Sequence, residues 1–133
     1  MNIDQKKLIT QKELATRWRV SERTLEQKRS RKKGLNFYKP GGKVLYDLND
    51  AITYENDHYV MIHGLDMNTE KNREFFTQEE LAARWRQSER TLENNRHRET
   101  GPNYFKLTGK VLYEKSDIIK WESKSYTKLP VMD

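Results

Sequence analysis

TQKELATRWRVSERTLEQKRSRKKGLNFYKPGGKVLYDLNDAITYE, residues 10–55, returns 67 positions later as TQEELAARWRQSERTLENNRHRETGPNYFKLTGKVLYEKSDIIKWE, residues 77–122, with 27 of 46 positions identical and no gap. Two copies of one small unit therefore make up most of the chain. The comparison between them shows which residues the unit keeps: Glu13/Glu80, Leu14/Leu81, Ala15/Ala82, Arg17/Arg84, Trp18/Trp85 and Arg19/Arg86, the run 21–26 against 88–93, Arg29/Arg96, Arg31/Arg98, and Lys43-Val44-Leu45-Tyr46 against 110–113. Apolar anchors and arginines are both retained.

The unit reads as two helices followed by a hairpin and a third helix. Thr10 with Glu13 is a capping box, and Leu14, Ala15 and Trp18 follow at helical spacing, which predicts a helix over about 11–18; Thr77 and Glu80 repeat the signal. Ser21 is a good N-cap for a second helix over about 22–32, with Leu25 as its inward anchor. Two short helices joined by a tight turn form a helix-turn-helix candidate. After Gly34, the segments Phe37-Tyr38-Lys39 and Lys43-Val44-Leu45-Tyr46 read as strands around Pro40-Gly41-Gly42, and Tyr104-Phe105-Lys106 with 110–113 reads the same way. Asn49 and Ser116 are expected to cap the third helices. In the first copy apolar residues continue through Tyr59, Val60, Met61 and Ile62 to Gly64, which predicts a long third helix reaching the second copy.

The expected organisation is a first domain over 1–64, a polar linker over 65–74, a second domain over 75–126 and a loose tail over 127–133. Residues 1–9 show no usable pattern. The expected fold class is mainly α with small β-hairpin wings (α+β), as two tandem winged helix-turn-helix domains. Units of about 50 residues lie near the lower limit for a self-sufficient core, so each must lean on its aromatic residues or on its twin. Among 133 residues there are three Trp, seven Tyr and four Phe, and these read as core.

Lys and Arg number 26 against 20 Asp and Glu, a formal charge of +6 that favours polyanionic partners without deciding among them. Placement adds to the total: Lys28, Arg29, Arg31, Lys32 and Lys33 cluster at the end of the second helix, whereas acidic residues gather over 47–57, so one face should be basic and another acidic. No apolar run approaches a membrane span, the N-terminus lacks a signal-peptide pattern, and no cysteine is present. No membrane partner is expected, and the expected location is the cytoplasm, bacterial cytosol or nucleoid. The three histidines His58, His63 and His97 do not share a helical face or join a carboxylate cluster at ligand spacing. No enzyme activity, catalytic residue, metal, cofactor or small-molecule ligand is expected.

The string Glu-Leu-Ala-x-Arg-Trp-x-Val-Ser-x-Arg-Thr-Leu over 13–25, the hairpin ending Gly-Gly-Lys-Val-Leu-Tyr, and a following helix bearing Tyr54 or Trp121 resemble the excisionase-type winged-helix family, related to the DNA-binding domain of mercury-resistance-type regulators. The resemblance covers roughly 70% of the chain. It implies duplex DNA binding, with the second helix in the major groove and the hairpin wing on the adjacent backbone or minor groove. Family members often carry Gly where this chain has Arg19 and Arg86, and Trp where it has Lys28 and Asn95; Val20 also becomes Gln87, which marks the second unit as the weaker folder.

The residues make a physical case beside the resemblance. On a helical wheel, Arg23, Gln27 and Ser30 lie opposite Leu25, flanked by Thr24 and Arg31; Arg90, Asn94, His97, Thr91 and Arg98 repeat the face. Arg23 and Arg90 suit guanine edges, and Gln27 and Asn94 suit adenine. Thr24, Thr91, Arg31, Arg98 and the wing lysines Lys39, Lys43, Lys106 and Lys110 suit phosphates, which position without reading sequence. A solvated helix face and plain edge protection by the lysines are the bland alternatives. The expected function is sequence-specific double-stranded DNA binding on two half-sites spaced by the linker, as a phage- or plasmid-type transcription regulator, excision or partition factor of a mobile genetic element. Other proteins of a nucleoprotein complex are admitted as partners. Two alternatives stay open: a DNA-recruiting assembly module such as a phage packaging subunit, and an RNA-binding protein.

Overall fold

The structure, a computed structural model, describes residues 6–60 and 72–130; the expected helix beyond Val60, most of the expected linker and the last three residues of the tail lie outside them. The first copy contains β1 (Leu8–Thr10), α1 (Gln11–Trp18), α2 (Glu22–Ser30), β2 (Leu45–Asp47), α3 (Leu48–Asp57) and β3 (Tyr59–Val60). The second contains β4 (Phe75–Thr77), α4 (Gln78–Trp85), α5 (Glu89–His97), β5 (Tyr104–Leu107), β6 (Lys110–Glu114) and α6 (Lys115–Ser125). The described residues thus form a mixed α+β fold of six helices and two small antiparallel sheets.

Local chemistry builds each copy in the same way. The Thr10 hydroxyl accepts the Glu13 N–H at 3.0 Å while the Glu13 carboxylate accepts the Thr10 N–H at 2.9 Å, and Thr77 and Glu80 repeat both distances. Each first helix ends on an arginine in the left-handed region, Arg19 at φ 59° and Arg86 at φ 55°. That conformation costs a non-glycine residue about 1–2 kcal/mol, but it satisfies the last carbonyls and aims the chain at Ser21 or Ser88, whose hydroxyls cap the next helix at 3.1 Å. The second helices end at Ser30 and His97, short of position 32, because Lys32 and Glu99 also turn left-handed, at φ 56° and 55°.

Four expectations are corrected. Residues 8–10 form a strand, pairing antiparallel with β2 from Leu8↔Asp47 to Thr10↔Leu45. The third helices are capped by Asp47 and Glu114 rather than by Asn49 and Ser116; the carboxylates accept the Asn49 and Ser116 N–H groups at 2.9 and 2.8 Å, and a charged acceptor at a helix N-terminus is the stronger one. The first copy's third helix ends at Asp57, after two residues of weak helix propensity, and the chain then continues as the extended β3. The first hairpin is only the bridge Tyr38↔Leu45, whereas the second runs through Leu107↔Lys110. Pro40 occupies the position of Leu107 and has no N–H to pair. Thr108 and Gly109, at φ 52° and 76°, make the two-residue turn with both central residues left-handed that matches strand twist.

The two copies share a core. β3 adds to the second copy's hairpin in the register Tyr59↔Phe105 and Val60↔Tyr104, giving the sheet order β3-β5-β6-β4. Phe75, Phe105, Leu107 and Leu112 join Leu14, Trp18, Tyr46 and Ala51 in one apolar cluster, and a smaller cluster of Leu81, Ala82, Leu92, Tyr113 and Ile118 holds α4–α6 together. Polar ties cross the same boundary. The Tyr59 hydroxyl donates to Asp117 at 2.9 Å and accepts from the Asn103 amide at 2.9 Å, Arg19 pairs with Glu80, and the Lys110 amine donates to the Arg19 carbonyl at 2.9 Å. Arg73, which falls in the expected linker, binds Glu55 at 2.7 Å and Asn56 at 2.7 Å. These contacts pack the two copies against each other.

Candidate nucleic-acid interface

The helices α2 and α5 are held on one side and open on the other. Leu25 and Leu92 are buried. The Gln11 amide donates to Glu22 and Glu26 at 3.1 and 3.2 Å, and Gln78 does the same to Glu89 and Glu93 at 3.1 Å each, tying each first helix to the second. Arg29 and Arg96 reach inward to the hydroxyls of Tyr46 and Tyr113, at 2.7 and 2.8 Å. Burial pushes the Tyr113 hydroxyl up in pKa, and the Arg96 guanidinium beside it only partly offsets this.

Of the five arginine pairs retained in both copies, Arg17/Arg84 and Arg29/Arg96 are thus engaged by partners within their own copy. Arg17 makes a forked pair with Glu55 at 2.6 and 2.8 Å, and Arg84 with Glu122 at 2.7 and 2.8 Å, each carboxylate also accepting a Trp indole N–H at 2.7 Å. The Arg84 hydrogen bond is the main reason the Glu122 carboxyl falls to about 2, against a smaller opposing effect of burial. Burial raises Glu80, but the Thr77 backbone N–H and Arg19 outweigh it and hold that carboxyl below its usual range. The signal for these internal arginines lay in the sequence, since Glu55 and Glu122 are kept at the same spacing from Arg17 and Arg84.

What remains outward is the face expected for contact. Arg23, Gln27, Ser30 and Arg31 are exposed, as are Arg90, Asn94, His97 and Arg98. The positions i and i+4 put Arg23 beside Gln27 and Arg90 beside Asn94. Thr24 and Thr91 are less available: their hydroxyls sit 3.0 and 2.9 Å from the capping hydroxyls of Ser21 and Ser88. Lys39 and Lys43 are exposed in the first loop, and Lys106 projects from the solvent face of β5. Lys110 is spent differently, on the Arg19 carbonyl of the other copy.

The two copies differ in charge. The end of α2 and its turn carry Lys28, Arg29, Arg31, Lys32 and Lys33, and Arg29, Lys32 and Lys33 line an open groove of about 450 Å³ with Asn36 and Phe37. The equivalent positions in the second copy hold Asn95, Arg96, Arg98, Glu99 and Thr100. Half of the acidic run over 47–57 is internal, since Asp47 caps α3 and Glu55 is buried between Arg17 and Arg73, while Asp57 is exposed. Among the described residues no His, Cys, Asp and Glu cluster could hold a metal ion, and no helix is long and apolar enough to cross a membrane. No protein-family model matches the chain, and neither a curated protein nor a solved structure matches it.

Proposed function

We propose that this chain is a non-enzymatic, sequence-specific double-stranded DNA-binding protein built as two fused winged helix-turn-helix units, with α2 and α5 as the recognition helices. One observation carries the reading: once the arginines with internal partners are set aside, Arg23 with Gln27 and Arg90 with Asn94 stay exposed on matching helix faces. Their donors suit base edges in a major groove. Arg31, Lys32, Lys33 and Lys39 make the first unit the main phosphate grip, and the second unit adds Arg98 and Lys106. Such a protein serves as a phage- or plasmid-type regulator, excision or partition factor. Packing between the units supports two half-sites at one spacing.

The test is selection of bound sites from random duplex DNA, followed by titrations at several salt concentrations. Arg23→Ala is expected to cost about 1–3 kcal/mol and to relax preference at one base position, whereas Lys39→Ala weakens all sequences alike and lowers the salt slope by about 1. A duplex RNA of the same length is the control. Binding that is independent of salt, or tighter to RNA than to any selected DNA, overturns the reading.

A further inference from the structure

The joint between the two copies is built from residues that recur, one repeat along, on the outer edge of each copy. Tyr59 is the hub of that joint: it extends β3 against Phe105, donates to Asp117 and accepts from Asn103. Moving by 67 positions, Tyr59 becomes Tyr126, just past α6, and Asp117, Asn103 and Phe105 become Asp50, Asn36 and Tyr38 in the first copy. The same shift turns the Arg19–Glu80 pair into Arg86 and Glu13, and the Lys110 bond to the Arg19 carbonyl into Lys43 and Arg86. Every side chain in these polar ties is identical at the shifted position.

The shifted positions are more exposed than their counterparts in the joint. Phe105 and Phe75 are 2% and 5% exposed, whereas their counterparts Tyr38 and Leu8 are 40% and 42% exposed. Tyr126 is 74% exposed, and its backbone, at φ −73° and ψ 126°, is already extended. Arg73 lies 4.9 Å over the Phe105 ring and reaches Glu55; its counterpart Lys6 lies 4.6 Å over the Tyr38 ring, while Glu122, the counterpart of Glu55, keeps a side chain 32% exposed. Within one molecule Tyr126, Asn36 and Lys43 are all exposed, so burial does not explain why both copies keep them.

We propose that the chain associates head to tail with further copies of itself, the extended segment at Tyr126 of one molecule adding as an edge strand to residues 36–38 of the next. Tyr126 then meets Asn36 and Asp50, Arg86 meets Glu13, Lys43 meets the Arg86 carbonyl, and Lys6 approaches Glu122. Strand addition at an open edge is an established mode of recognition, and because the two surfaces differ, the contact is heterologous and extends from one copy to the next. This self-association does not depend on nucleic-acid binding.

The test is sedimentation of the full chain without nucleic acid, from about 1 µM to the high micromolar range that covers weak heterologous contacts. Wild type is expected to gain mass with concentration in steps of the 16.0 kDa chain. Tyr126→Ala removes the tail's hub and Tyr38→Asp blocks the receiving edge; both sites are exposed, and circular dichroism checks that both variants fold. Each variant alone is expected to stay monomeric. An equimolar mixture forms a dimer and stops there, since one joint remains intact between the Tyr38→Asp tail and the Tyr126→Ala edge. Truncation after Ser125 should behave as Tyr126→Ala does. A wild-type chain that stays monomeric throughout overturns the proposal, as does association that survives both substitutions or a mixture that remains monomeric.

Discussion

Glu55 and Glu122 occupy the same place in the two copies, and replacing each by glutamine should have very different costs. The Glu55 Oε2 accepts from Arg17 Nε at 2.6 Å and Trp18 Nε1 at 2.7 Å, and its Oε1 accepts from Arg17 Nη2 at 2.8 Å and Arg73 Nη1 at 2.7 Å. Whichever way a glutamine amide is turned, its NH₂ therefore faces two donors. The carboxylate is fully buried and the two arginine side chains are 11% and 8% exposed, so Glu55→Gln strands two nearly buried cations. Breaking a buried pair of this kind costs about 3–5 kcal/mol. Glu122 has only Arg84 and Trp85 among the described residues, and its side chain and that of Arg84 are 32% and 39% exposed. Solvent can take over there, and Glu122→Gln should cost about 1 kcal/mol. At roughly 3–4 °C per kcal/mol for a chain of this size, Tm falls by roughly 9–20 °C in the first variant and about 3–4 °C in the second. Urea titration followed by ellipticity measures both, with an unchanged slope showing that the denatured state is the same. Equal losses, within about 0.5 kcal/mol, would refute the claim that burial and Arg73 distinguish the two sites.

Three further outcomes are expected. The Glu122 carboxyl is lowered from 4.5 to about 2 in the folded protein, so its stabilising contribution is complete above about 4.5 and is lost as pH falls toward about 2; the stability gap between wild type and Glu122→Gln should close over that window in acid titrations. Thr108 is a β-branched residue at φ 52° in a turn that favours Asn-Gly, and Thr108→Asn should raise stability by about 0.5–1 kcal/mol, a loss instead showing that its 2.7 Å hydroxyl bond to the Leu107 carbonyl outweighs backbone strain. Because the shared core holds the copies together, inserting about six Gly/Ser residues between Asp66 and Met67 should leave the preferred half-site spacing of bound DNA unchanged, and a spacing that broadens with linker length would show the units to be independent.

The local layer of this protein was legible in the amino-acid order alone. Capping boxes at Thr10 and Thr77, N-caps at Ser21 and Ser88, and the apolar positions around Leu14, Trp18 and Leu25 act within four residues of themselves, so α1, α2, α4 and α5 follow from short-range chemistry. The repeat was equally plain, and with it the matching outward faces of α2 and α5. Tertiary structure decided what the remaining charges do. An arginine has the same chemistry whether it faces solvent or a carboxylate, and the pairs Arg17–Glu55 and Arg29–Tyr46 are separated by 38 and 17 residues, so nothing within one helix marks them as internal, and the repeat shows only that both members of each pair are kept. It likewise decided that Tyr59 and Val60 leave α3 to become a strand: a short aromatic and β-branched segment suits either state, and an open edge on β5 selects one. Lys110, chemically suited to a phosphate, is committed to a carbonyl of the other copy for the same reason. Side-chain type and spacing determine which groups are present and which local elements they start, but which groups become each other's partners depends on distances that exist only once the copies have packed.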